Sequence, residues 1–180
     1  MTEWPEVVDN LIKIGLPAIV TGAVTIFGVK YNGKASQDKF LLEHKTKLLE
    51  KISDDVDEYF SALNMLYSKV AAIVKVMPHD IEEVVLSKAQ INAIKERDKS
   101  LVNKWKNRQS SLSKLRLLGA KDSSKKLGLC ADLETELRNM LFFDKDYPNY
   151  EQICEHRKSS RTHQRKYHES LAKFYEDIAS

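Results

Sequence analysis

Residues 36–77 read SQDKFLLEHKTKLLEKISDDVDEYFSALNMLYSKVAAIVKVM, and their spacing decides the fold class. Leu41, Leu48, Ile52, Val56, Phe60, Leu63, Leu66, Val70, Ile73 and Met77 recur three, four or seven positions apart. That is one face of a single helix. About forty residues at a rise of about 1.5 Å make a rod of roughly 60 Å, longer than a compact domain of this size needs. Asn32-Gly33 breaks the chain ahead of it, Ser36 is a candidate N-cap, and Met77-Pro78 ends it.

Working towards the C-terminus, a second helical stretch runs from Asp80 to Leu118, with a break expected between Leu86 and Ala89. Gly119 stands where a left-handed C-terminal residue belongs. A third helix spans 122–143, with Leu129, Leu133, Leu137, Met140 and Leu141 inward, and 144–148 form a loop. Asn149 with Gln152 resembles a capping box and opens a last helix to about Ile178. Its apolar positions are Ile153, Leu171, Phe174, Tyr175 and Ile178. Gly 6 and Pro 4 in 180 residues are too few for the turns of a sandwich or barrel. The expected class is therefore all-α, with four or more helices bundled after residue 34.

Composition closes other routes. No GxGxxG or GxxxxGK[ST] occurs, so the glycine-rich phosphate loops are absent. The cysteines, Cys130 and Cys154, make no CxxC and are too few for a disulfide scaffold, which suits a reducing compartment. A net charge of +3, from 29 Lys/Arg against 26 Asp/Glu, is too balanced to imply nucleic acid. Residues 97–126 are locally basic, opposed there only by Asp98 and Asp122. They read as a solvated face set against acidic neighbours or anionic lipid, with nucleic-acid contact as the alternative.

Working towards the N-terminus, residues 14–29, IGLPAIVTGAVTIFGV, carry no charge. With Leu11 and Ile12 across Lys13 the stretch makes a helix of roughly 28 Å, close to the ~30 Å of bilayer hydrocarbon. Glu3, Glu6 and Asp9 precede it without Lys or Arg, which argues against a secretory signal. A buried core helix is the plainer alternative to a membrane span. Lys30, Lys34 and Lys39 follow, so the positive-inside rule puts the N-terminus outside and the rest in the cytoplasm, single-pass. Trp4 and Tyr31 sit where interfacial aromatics belong. The division is then a membrane helix over 1–33 and a cytoplasmic helical domain over 34–180. Gly15, Ala18, Gly22 and Thr25 form a small-residue stripe, the candidate pore or oligomer interface.

The last helix carries the chemistry. Residues 155–169 read EHRKSSRTHQRKYHE and hold three of the five histidines and three of the seven arginines. No large aliphatic residue lies between Ile153 and Leu171, so this stretch faces water or lines a polar cleft or junction. His156 and His163 share a face but are seven apart, and helical metal pairs use three or four. No metal and no cofactor is expected. Arg157 with His163, or Arg161 with His168 in the alternative register, matches the Arg-x(4–6)-His signature of HEPN-type ribonucleases. There a histidine moves the 2′-hydroxyl proton and an arginine steadies the phosphate charge. The residue after the arginine is Lys158 or Thr162 in place of the usual Asn, His or Asp, which points to a structural role over a working ribonuclease site. A solvated charged face is the plain alternative.

Taken together, the layout resembles the small HEPN-like membrane accessory proteins of type VI-B CRISPR systems. The resemblance implies an N-terminal membrane helix followed by a HEPN-like helical bundle with one very long helix. It implies a homo-oligomeric ring in the bacterial inner membrane that opens a pore beside an RNA-guided CRISPR ribonuclease effector and so strengthens antiviral defence. A single helix encloses no channel, so a pore requires several chains. A membrane-tethered HEPN ribonuclease acting on RNA, and a membrane-anchored scaffold without activity of its own, are the alternatives.

Overall fold

The computed structural model describes residues 34–77 and 84–179. Its helices are α1 (Lys34–Lys75), α2 (Lys88–Val102), α3 (Trp105–Leu118), α4 (Lys121–Arg138) and α5 (Tyr150–Ala179), with a π-helical turn, Asn139–Phe143, closing α4. Every regular element among the described residues is helical, as the spacing required. The chain divides into two units, Met1–His44 and Lys45–Ser180. Of the first, only the opening turns of α1 are described. The uncharged segment 14–29, with Gly15, Ala18, Gly22 and Thr25, lies outside the described residues. Among the described residues no helix is long and apolar enough to cross a membrane.

In the second unit α1 is the spine. Ile52, Val56, Tyr59, Leu63, Leu66, Tyr67 and Val70 are wholly buried, at the three- and four-residue spacing of one helical face. The buried stripe is wider than the aliphatic pattern, because Tyr59 and Tyr67 enter it with their hydroxyls paired to Glu134 and His156. A tyrosine can be interior when its O–H finds a partner. Leu41, expected on the inner face, is exposed and belongs to the first unit.

Local signals placed the helix ends well. The break expected between Leu86 and Ala89 is present: residues 84–87 are irregular and α2 opens at Lys88, while 80–83, the start of the expected stretch, lie outside the described residues. Ser87 accepts from the Gln90 backbone N–H while the Gln90 side chain accepts from the Ser87 N–H, a complete capping box. The stretch expected as one helix to Leu118 is two. It turns at Asn103 and Lys104, which leaves Leu101 buried and starts α3 at Trp105. Gly119 ends α3 at φ 81°, the left-handed region that glycine enters freely. Asn149 and Gln152 form the second capping box, at 2.8 and 2.9 Å, at the start of α5.

The bundle is tied by a buried carboxylate. Glu134 on α4 is 1% exposed. It accepts from the Tyr59 hydroxyl on α1 at 2.8 Å and from Trp105 Nε1 on α3 at 2.6 Å. It also pairs with the Arg108 guanidinium on α3. One turn on, Arg138 grips Asp98 of α2 with two hydrogen bonds, at 2.7 and 3.1 Å, and lies over the Trp105 ring at 4.7 Å. Burial and the Glu134 charge push the Tyr59 phenol well above its ordinary value, so it stays a donor. The basic stretch is answered from α1 as well: Lys104 meets Glu58 at 2.8 Å and Lys114 meets Asp55 at 3.5 Å.

Removing one member of such a pair leaves an uncompensated buried charge. Arg108→Ala and Glu134→Ala should each cost about 3–5 kcal/mol in urea denaturation, while an Arg108→Met/Glu134→Leu double variant loses far less than their sum. Additive losses would refute the coupling.

Candidate functional site on the C-terminal helix

Helix α5 lacks aliphatic residues in its middle because what it buries there is small or polar. Ile153, Ser160, Gln164, Tyr167, Ser170 and Leu171 form its inner stripe. Ser160 is wholly buried and accepts from Gln164 Nε2 at 3.1 Å, and Gln164 in turn accepts from Asn64 of α1 at 2.9 Å. Ser170 reaches Ser123 of α4 at 3.1 Å. The polar stretch is therefore seated against polar partners. Tyr167 was missed as a core residue: it is wholly buried, its ring edge-on to Phe60 at 5.6 Å.

The Arg/His candidates are not one constellation within the chain. Arg157 and His163 are six residues apart, so at about 100° per residue they point about 120° away from each other. Arg157 Nη2 donates to Ser68 of α1 at 2.9 Å, and its buried Nε has no partner. His163 donates from Nδ1 to the Ser159 carbonyl at 2.9 Å, which leaves Nε2 as its acceptor. Arg161 and His168 share a face but stand about 10 Å apart along the axis. Arg161 is exposed, whereas His168 turns inward to Asp57 of α1 at 3.4 Å and packs edge-on against Phe60.

His156 is the histidine with the most built surroundings. Its Nδ1 meets the Tyr67 hydroxyl at 2.7 Å, and its buried Nε2 lies 3.5 Å from the Glu136 carboxylate without a hydrogen bond. Burial pulls its pKa below the ordinary 6.5, and Glu136 offsets part of that. Burial likewise holds the Tyr67 phenol protonated, so its hydroxyl can donate a hydrogen bond to His156 Nδ1. Cys130 is pushed up to about 12 by burial and is inert as a nucleophile.

Two grooves flank α5. One, of about 460 Å³, is lined by Cys154, Arg157, Lys158, Arg161, Thr162 and Arg165. Lys158 and Arg161 have no carboxylate partner among the described residues, and Arg165 has only Glu169, one turn along, at 3.6 Å. The other, of about 410 Å³, runs between α4, the 144–149 loop and α5. Glu136, Asp146 and Glu155 line it beside His156, Leu133 and Met140, with no lysine or arginine among its described lining residues. Sequence reasoning singled out the Arg/His-rich stretch of α5 without dividing it into a basic and an acidic flank. The acidic groove was not legible because Glu136, Asp146 and Glu155 come from α4, the loop and α5 and meet only in the fold. Among the described residues no three His, Cys, Asp or Glu side chains are grouped to hold a metal ion.

No protein-family model, curated protein or solved structure matches the chain.

The folded state binds a proton at His156 less readily than the unfolded state, so this group's contribution is full above pH 6.5 and is lost as pH falls. The thermal midpoint should therefore drop between about pH 7.5 and about pH 5.5, and His156→Asn should flatten that slope. An unchanged slope in the variant would refute the assignment.

Proposed function

We propose that this is a membrane-anchored helical protein that self-assembles in the bacterial inner membrane and permeabilises it, as an accessory to RNA-guided antiviral defence. The observation that carries the anchor is the uncharged segment 14–29, acidic before and basic after, ahead of a helical body. The small-residue stripe Gly15, Ala18, Gly22 and Thr25 supports self-association in lipid. The pore and the link to an RNA-guided ribonuclease effector rest on the resemblance to type VI-B accessory proteins. The separation of Arg157 from His163 within one chain supports a structural part for that pair over a self-contained active site.

A second reading is favoured by one observation. His163 has its Nδ1 held by the Ser159 carbonyl and its Nε2 free, the tautomer a general base needs. That reading is a tethered HEPN ribonuclease.

Full-length protein in detergent should run as a discrete species of several protomers by light scattering. Reconstituted into vesicles, it should release a trapped dye, and a chain lacking residues 1–33 should not. A protomer mass with no dye release would refute the pore. Cleavage of single-stranded RNA, lost in His163→Ala, would put the ribonuclease in its place.

A further inference from the structure

The two grooves lie on opposite flanks of one rigid helix and carry opposite charge. At about 100° per residue, Gln152, Glu155, His156 and Ser159 centre about 155° away from Arg157, Lys158, Arg161 and Arg165. Each groove is open and of similar size, about 410 and 460 Å³. Asp146 and Glu155 on one side, and Lys158 and Arg161 on the other, are exposed and unpaired among the described residues. Two clusters of opposite sign are complementary to each other, and each is repelled by its own copy.

We propose that α5 is a head-to-tail docking surface for a second copy of this chain, the basic groove of one copy seating against the acidic groove of the next. Self-repulsion excludes the two-fold arrangement in which a groove meets its own copy. A contact between two different patches propagates, and it closes as a ring when the rotation per copy allows. The interface supplies what these side chains lack among the described residues: carboxylates for Lys158 and Arg161, and cations for Asp146 and Glu155. The neutral state of His156 keeps the acidic groove free of a competing cation near neutral pH. His163 falls in angle between Ser159 and His156, on the acidic flank, while Arg157 is on the basic flank. The head-to-tail contact therefore brings Arg157 of one copy to the junction that holds His163 of the next. This inference rests on the self-assembly proposed above and assigns the cytoplasmic contact that would direct it.

The test uses the full-length chain in detergent, its mass read by light scattering. Two charge-reversal variants, Lys158→Glu/Arg161→Glu and Asp146→Lys/Glu155→Lys, alter only exposed side chains, and circular dichroism confirms that each is folded. The wild-type multimer should dissociate as salt rises from roughly 0.05 to 1 M, where the screening length shortens to about 3 Å. Each variant alone should lose the multimer. Mixed one to one, the variants should recover a multimer, because the intact acidic groove of one meets the intact basic groove of the other and the two reversed grooves are again opposite in charge. A wild-type multimer that both variants preserve would overturn the docking surface while leaving self-assembly standing. A wild-type protomer at low salt would overturn both. Variants that stay protomers when mixed would overturn the head-to-tail pairing.

Discussion

The bundle depends on how one buried carboxylate is neutralised. A charge as enclosed as Glu134 is tolerated only where donors meet each of its oxygens. Tyr59, Trp105 and Arg108 are those donors, and they come from two different helices. Sliding α1 or α3 by a turn would remove at least one of them and leave the charge exposed to hydrocarbon. The constraint thus sets the relative register of α1, α3 and α4, which apolar packing alone leaves loose. Trp105 extends the tie to α2, since its ring lies under the Arg138 guanidinium that grips Asp98. Arg108 stacks on the same ring at 5.8 Å, so one indole is shared by both ion pairs.

That tie explains why α5 can do without aliphatic residues. With α1, α3 and α4 already locked, the last helix need only fill a shallow trough, and serines at 160 and 170 let it approach closely. Hydrogen bonds through Gln164 to Asn64 and through Ser170 to Ser123 then fix its register. The consequence is external. A helix that buries a narrow stripe exposes both flanks, and this one carries cations along one and carboxylates with their α4 neighbour along the other.

What the sequence made legible was local. The three-and-four spacing of α1, the stop at Gly119 and the Asn149–Gln152 box are each decided by residues within a turn or two of one another. The break at Asn103 was not legible, since no glycine or proline marks it. Its cause is distant: Trp105 must reach Glu134, twenty-nine residues on. Glu134 itself is spaced four from Arg138, a pattern that reads as a surface ion pair, yet each residue turns to a different helix. Tyr59, Tyr67 and Tyr167 escaped for a related reason. Tyr59 and Tyr67 are interior with hydroxyls met by Glu134 and His156, and Tyr167 is interior with its ring against Phe60 and its hydroxyl unpaired, all of which depend on tertiary placement.

The same limit applies to the Arg/His motif. A spacing rule in sequence says that two side chains are near along the chain, and on a helix it also fixes the angle between them. Six residues put Arg157 and His163 on different sides of α5, one toward Ser68 of α1 and the other back onto its own Ser159 carbonyl. The offset of about 120° belongs to the backbone of a helix seated at the buried Ile153, Gln164 and Tyr167. A role that needs the two residues together, whether a proton transfer or an ionic contact, falls to the head-to-tail contact proposed above. The opposite charges of the two flanks give the reason two chains would meet there.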